Sequence, residues 1–171
     1  STGLKLKPNR SSDAIEESWI GPRKFNFLLT VNDKFFLPSK ICIKSLLESC
    51  GSDQIDRIII NDTGLSSQNL QDLKSLHESI TILSFEQTSS DYKDHLSVEW
   101  QKAVQSKTRA LKHCIDNGIL PLVMLDSDQF VVGDFTHLLD SQYSCILCKR
   151  KEPILRRDGR QLDYNASFFA A

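Results

Sequence analysis

No stretch of this chain holds the ~20 consecutive apolar residues that a membrane-spanning helix needs, and residues 1–10 lack the apolar h-region of a signal peptide. An excess of one charge is missing too: 21 Lys and Arg stand against 22 Asp and Glu, a formal net charge of −1. That balance removes any global electrostatic case for nucleic acid or a membrane surface as partner. The five cysteines, Cys42, Cys50, Cys114, Cys145 and Cys148, are odd in number and scattered through apolar segments. This argues against a disulfide framework and for reduced, buried thiols in a cytoplasmic protein. Cys145 and Cys148 have the spacing of half a zinc site, but no second pair exists, and residues three apart on a strand face opposite ways. There is no internal repeat, and 171 residues suffice for one domain of ordinary size.

What is present is an alternation of apolar runs and amphipathic stretches. Residues 1–24 are polar and read as a flexible N-terminal segment; residues 25–171 read as one domain. Phe25 to Val31 is a buried strand ended by Asn32-Asp33. Phe36, Ile43, Leu46, Leu47 and Cys50 recur at helical spacing, with Pro38 suiting a first turn and Gly51 a C-cap. A second strand covers Arg57 to Ile60 and ends in the turn signal Asn61-Asp62-Thr63-Gly64. Ser66 or Ser67 caps a helix with Leu70, Leu73 and His77 on one stripe. Ile80 to Phe85 is a third strand, and a helix with Trp100, Val104, Leu111 and Ile115 on one face ends at Gly118. A fourth strand follows, then a short helix at Thr136–Asp140. Strands at Ser144 to Cys148 and Asp163 to Ala170 flank a basic loop, Lys149 to Arg160. The order β-α-β-α-β-α-β predicts an α/β, Rossmann-like domain with a mostly parallel sheet and antiparallel C-terminal strands.

The most informative stretch is ILPLVMLDSDQFVVGDF, Ile119 to Phe135. An apolar strand ends abruptly in Asp126-Ser127-Asp128. In an extended strand residues two apart point the same way, so both carboxylates are expected on one face at the strand's carboxyl end, where open α/β sheets bind ligands. Left alone they repel each other. A hard cation, Mn²⁺ or Mg²⁺, relieves the repulsion and keeps positions open for a diphosphate. The bland alternative is a helix cap or turn; the apolar residues on both sides favour a concave, partly buried place. The expectation is metal-assisted binding of a phosphorylated substrate such as a nucleotide sugar.

The fold order and the segment LDSDQFVVGDF resemble the GT-A glycosyltransferases, most closely family 8, which includes glycogenin and lipopolysaccharide galactosyltransferases. Three further segments agree: Leu29 to Phe35, Ile60 to Leu76, and Tyr164-Asn165-Ala166-Ser167. The resemblance implies a metal-dependent transferase moving a hexose from a UDP-sugar to a glycan, lipid or protein acceptor, with retention of configuration. It implies Asp126 and Asp128 as metal ligands, with Asp126 and Ser127 also at the nucleotide. It implies Thr30 and Asn32 hydrogen-bonding uracil with Phe35 stacked on it, and Asn165, Ala166 and Ser167 against the donor sugar. The plain alternatives are strand-end and turn residues, with Phe35 in the core.

Lys107 and Arg109 lie near where the family places an Arg, and both are named as nucleotide-binding candidates, with snorkelling at the edge of the core as the plain alternative for Lys107. Lys107 shares the apolar stripe of its helix, and Arg109 points ~200° away at ~100° per residue. Were Ser106 an N-cap, the helix's first turn would itself offer amides to a phosphate. The basic run Lys149, Arg150, Lys151, Arg156, Arg157, Arg160 reads first as a solvated loop and second as a contact for an anionic acceptor or a lid over the diphosphate. His77, His95 and His113 read as structural. No catalytic group is assigned.

Departures from the family are Asn32 in place of Asp, Ser167 in place of Gly, and the want of a distant downstream His for a third metal ligand, since the only His after Asp128 is His137, too near to serve. The domain is therefore expected to be truncated or minimal. Two other functions stay open: a non-catalytic nucleotide-sugar-binding domain, and a haloacid-dehalogenase-like phosphatase, which also uses Asp-x-Asp after an apolar strand. Against the phosphatase stand Phe130 and the placement of the motif on a late strand.

Overall fold

The structure, a computed structural model, describes residues 4–6, 24–85, 98–136, 145–155 and 161–170, with side chains at residues 24–85 and at 98–136 apart from 99, 100 and 103. Its frame is a seven-stranded sheet: β1 (Leu4–Leu6), β2 (Phe25–Val31), β3 (Ile55–Asp62), β4 (Ile80–Ser84), β5 (Leu122–Leu125), β6 (Cys145–Leu155) and β7 (Gln161–Ala170). Three helices connect the parallel part: α1 (Phe36–Cys50), α2 (Ser67–Lys74) and α3 (Val98–Asp116). The order across the sheet is β1-β6-β7-β5-β2-β3-β4. The block β5-β2-β3-β4 is parallel, and β7, β6 and β1 extend it antiparallel beyond β5. This is the α/β architecture expected from the sequence.

Residue parity explains the layering. In β2, Phe27, Leu29 and Val31 pack with Ile58 and Ile60 of β3, Val123 and Leu125 of β5, and Cys42, Ile43 and Leu46 of α1. Leu73 of α2 lies on that same face. Leu28 points the other way and packs with Ile59, Leu122, Met124 and the α3 residues Ala110 and Cys114. Helices thus cover both faces, which is why β2 reads as a continuous apolar run rather than an alternating one.

Chain direction places the functional edge. From β2 the chain runs outward through α1, β3, α2 and β4, then crosses by α3 to the other side of β2 to form β5. The boundary between β2 and β5 is therefore the topological switch point, where open sheets form a crevice at their carboxyl ends. The edge is braced there. Thr63 N donates to Val31 O at 2.9 Å and Asp33 N to Gly64 O at 3.1 Å. Asp62 Oδ1 accepts from Gly64 N (2.9 Å) and Leu65 N (2.8 Å), in a turn that needs Gly64 at φ 130°. Asp33 Oδ1 accepts from Ser66 N (2.8 Å) and Asn69 Nδ2 (2.9 Å), tying the end of β2 to the start of α2. These bonds hold the Asp33 carboxyl below its ordinary value.

Several sequence expectations shift. The N-terminal segment, read as flexible, contains β1 at Leu4–Leu6, paired antiparallel with Cys145, Ile146 and Leu147 of β6. Residues 149–155, read as loop, belong to β6; ladder pairing to β7 outweighs the preference of charged residues for solvent-exposed turns. The strand read at Arg57 to Ile60 extends to Ile55–Asp62. The helix expected at Thr136–Asp140 falls mostly outside the described residues. Ser66 is the N-cap of α2, its side chain accepting from Asn69 N, and Gly51 follows α1 at φ 75°.

Among the described residues no helix is long and apolar enough to cross a membrane. Cys42, Cys50 and Cys114 are free, buried thiols. Burial, with smaller contributions from the carboxylates of Asp128 and Asp126, pushes the Cys42 thiol up from 9.0 to about 11.

Two measurements check this packing. Ile43→Ala, at a site of zero exposure, should cost about 2–5 kcal/mol, seen as a lower urea midpoint at unchanged slope. The Cys42 thiol loses its proton more readily unfolded than folded, so its stabilising share is full below pH 9.0 and lost as pH rises towards about 11. Stability should fall across that window in the wild type, and by less in Cys42→Ala.

Candidate functional site

The carboxyl edge at the β2–β5 boundary opens into a cleft of about 120 Å³ lined by Thr30, Asn32, Phe35, Thr63, Lys107, Leu125, Asp126 and Ser127. Each element contributes by parity or by a turn. Thr30 shares its face of β2 with Leu28, toward α3, and its Oγ1 accepts from Asn61 Nδ2 at 3.1 Å. Asn61, wholly buried at the end of β3, also donates to Ser106 Oγ of α3 at 3.1 Å. One carboxamide thereby pins two strands and a helix beneath the cleft. Asn32 follows β2, and its Oδ1 accepts from Phe35 N at 3.2 Å, capping a short 3₁₀ turn. That turn presents Phe35, half-buried, at the cleft wall.

The aspartates lie in the turn that follows the strand. Strand β5 ends at Leu125, and a turn follows in which Gln129 N donates to Asp126 O at 3.2 Å and Gln129 Oε1 accepts from Asp126 N at 2.9 Å. Asp126 keeps the parity of Met124 and reaches the α3 side, where Lys107 Nζ donates to its Oδ1. Ser127 is buried and lines the cleft. Asp128 is exposed and is not part of the lining. The charges of both Asp128 and Asp126 act on the Cys42 thiol of α1, while only Asp126 lines the cleft.

Lys107 and Arg109 separate as their helical spacing requires: Lys107 enters the cleft and Arg109 is exposed. Helix α3 starts at Val98, so Ser106 and Lys107 lie in its interior and Ser106 is not an N-cap. Asn165, Ala166 and Ser167 belong to β7. Phe168 pairs with Leu125, so these three residues run just beyond the end of β5, at the level of the aspartates. His77 Nδ1 lies 2.8 Å from Ser79 Oγ, and the His113 ring meets Phe85 edge-on at 5.8 Å; both hold structure together. His95 and residues 156–160 lie outside the described residues.

Thr63, Asn61 and Ser106 escaped the sequence reading as site residues. The signal for Asn61 was its parity with Ile59, which sends it toward α3. The pairing of Asn61 with Thr30 and Ser106 is long-range and leaves no local mark.

The cleft's donors at the motif are oxygens: the Asp126 carboxylate, the Ser127 hydroxyl and, outside the lining, the Asp128 carboxylate. Such a set suits a hard divalent cation that takes one or two protein carboxylates and completes its shell from substrate and water. Among the described residues no three His, Cys, Asp or Glu side chains converge. The phosphatase alternative places its aspartates after the first core strand; here they follow β5, a later strand whose sheet neighbours are β2 and the antiparallel β7.

No protein-family model and no curated protein matches this sequence. Solved structures do match the fold. The galactosyltransferase LgtC, solved with donor and acceptor sugar analogs, superposes with a TM-score of 0.56 at 16% identity over 85% of this chain and 56% of its own. The bifunctional glycosyltransferase WbbM superposes with a TM-score of 0.54 at 14% identity over 89% of this chain and 32% of its own. The glycosyltransferase GlyE of Streptococcus pneumoniae TIGR4 gives 0.51 at 13% identity over 86% and 34%. The chain thus spans about half the length of LgtC and about a third of the other two. From the strand order, the switch-point cleft and these superpositions, the fold of this chain is that of the GT-A glycosyltransferases.

Proposed function

We propose that this chain is a glycosyltransferase domain that binds a UDP-hexose across the β2–β5 switch point with Mn²⁺ or Mg²⁺, and passes the hexose to a glycan, lipid or protein acceptor with retention of configuration. The observation that carries this reading is the single cleft that gathers Asp126 and Ser127 from the end of β5 with Thr30, Asn32 and Phe35 from the end of β2. A base edge, a ring face and a cation-bound diphosphate need those three kinds of partner.

The roles follow from the bonds already made. Thr30 Oγ1 accepts from Asn61, which leaves its hydroxyl hydrogen to donate to a base carbonyl. Asn32 Oδ1 caps Phe35 N, which turns the amide NH₂ into the recognising group. Phe35 supplies a stacking face that is indifferent to base identity, so discrimination rests on the two polar groups. Asp126 and Asp128 would hold the cation, whose contribution when bound is to neutralise negative charge on the diphosphate leaving group. Asn165, Ala166 and Ser167, beside the end of β5, would border the sugar. Lys107 would meet the phosphates; Arg109, exposed, would act only if the outer face of α3 borders a ligand.

A second reading, donor binding without transfer, draws on the ion pair that Asp126 already makes with Lys107. The two are separated by one experiment. UDP is titrated calorimetrically with and without Mn²⁺, and UDP release from UDP-glucose and UDP-galactose is followed in parallel. Binding is expected to require the cation. Asp126→Ala and Asp128→Ala should each weaken it by at least the about 10–100-fold that loss of a group supporting a metal ligand costs. Binding with no release of UDP would favour the second reading. Equal UDP affinity with and without cation, unaffected by both substitutions, would sink the metal-assisted account.

A further inference from the structure

Among the described residues that line the cleft there is one cation and one anion, and they pair with each other. Lys107 Nζ donates to Asp126 Oδ1, with the two side chains 27% and 35% exposed. The other lining residues, Thr30, Asn32, Phe35, Thr63, Leu125 and Ser127, are uncharged. Two other described acidic groups at this edge are engaged elsewhere: Asp62 Oδ1 takes two backbone amides of its own turn, and Asp33 Oδ1 takes Ser66 N and Asn69 Nδ2. Asp128 stands outside the lining. A cation arriving alone at Asp126 therefore leaves an ammonium without its counter-charge in a neutral, partly buried cleft, and a diphosphate arriving alone meets the uncompensated charge of Asp126 once Lys107 turns to it. Cation and diphosphate arriving together satisfy both.

Resting on the cation and diphosphate of the reading above, we infer that Lys107 is a resident counter-cation that must be exchanged off Asp126. The metal takes its place on the carboxylate, and the displaced ammonium stays in the cleft as a ligand for the diphosphate. Metal and nucleotide then bind as a mutually dependent pair, and the metal by itself binds weakly. A lysine suits this exchange: its charge is compact and rides on a flexible stem, with no planar fork to hold it on one carboxylate. The dependence is reciprocal, because a coupling free energy between two ligands acts equally on each.

The test uses Mn²⁺ alone and Mn²⁺ with UDP, titrated into the whole chain and read by loss of the free-ion paramagnetic resonance signal. In the wild type, UDP should tighten Mn²⁺ by about tenfold or more. In Lys107→Met, Mn²⁺ alone should bind about tenfold more tightly than in the wild type, and most of the UDP effect should vanish. Lys107→Arg, which keeps the charge, should retain weak binding of Mn²⁺ alone; tight binding there would overturn the inference. So would a Lys107→Met protein with wild-type affinity for Mn²⁺ alone and an intact UDP effect. If that result came with Mn²⁺ binding abolished by Asp126→Asn, the metal site would stand and only the exchange would fall. If wild type and Lys107→Met both ignored Mn²⁺ in the presence of UDP, the metal-assisted reading and the exchange would fall together.

Discussion

Strand β2 is gripped on all four sides, and the rest of the fold depends on that grip. It has a parallel neighbour on each edge, β3 and β5, over registers running Phe25↔Ile55 to Val31↔Asp62 and Asn26↔Leu122 to Leu29↔Leu125. Helices α1 and α2 cover one face and α3 the other. A strand so enclosed can be stable only if nearly every side chain is apolar, and Phe27, Leu28, Leu29 and Val31 are almost wholly buried. Because neighbours on the two edges are reached by connections leaving in opposite directions, the chain cannot close over the carboxyl end of β2. A crevice is left there by topology, before any side chain is specified.

Polar side chains turn that crevice into a site, and the parity of three strands chooses them. Thr30, Asn61 and Asp126 each carry on the series facing α3, after Leu28, Ile59 and Met124. At the sheet's edge the apolar series gives way to a hydroxyl, a carboxamide and a carboxylate, and the helix opposite changes in step from Ala110 to Ser106 and Lys107. The polar groups satisfy one another, with Asn61 bridging Thr30 and Ser106 and Lys107 meeting Asp126. Partly buried polar groups are tolerable on that condition. The same mutual satisfaction is what a ligand must displace, which links the stability of the empty cleft to the affinity of whatever enters it.

Legibility in the sequence followed the range of the interactions. Helix α1 was readable because its stripe, Pro38 and Gly51 are all local signals, and the observed Phe36–Cys50 follows them. The Ser66 cap was readable for the same reason. The basic stretch after Cys148 was not: its charges suggested a solvated loop, while pairing to β7 draws residues through Leu155 into a strand. Strand β1 was missed because three residues in a polar segment carry no periodicity, and only β6 gives them a partner. At the site, the helical angle between Lys107 and Arg109 indicated that both could not face one ligand; which of the two enters the cleft was left open by the sequence and is set by the seating of α3 on the sheet.

By itself, the sequence determined the alternation of strands and helices, the apolar strand that stops at Asp126, and the chemical identities of Thr30, Asn32, Phe35 and the two aspartates, because periodicity, caps and side-chain chemistry are local properties of the chain. Tertiary structure alone decided that Asp126 turns to Lys107 while Asp128 stays in solvent, that Asn61 and Ser106 join the site, and that β7 runs beside the end of β5. These are contacts between residues far apart in the chain, and their geometry is set by strand register and by a turn whose direction no spacing rule anticipates.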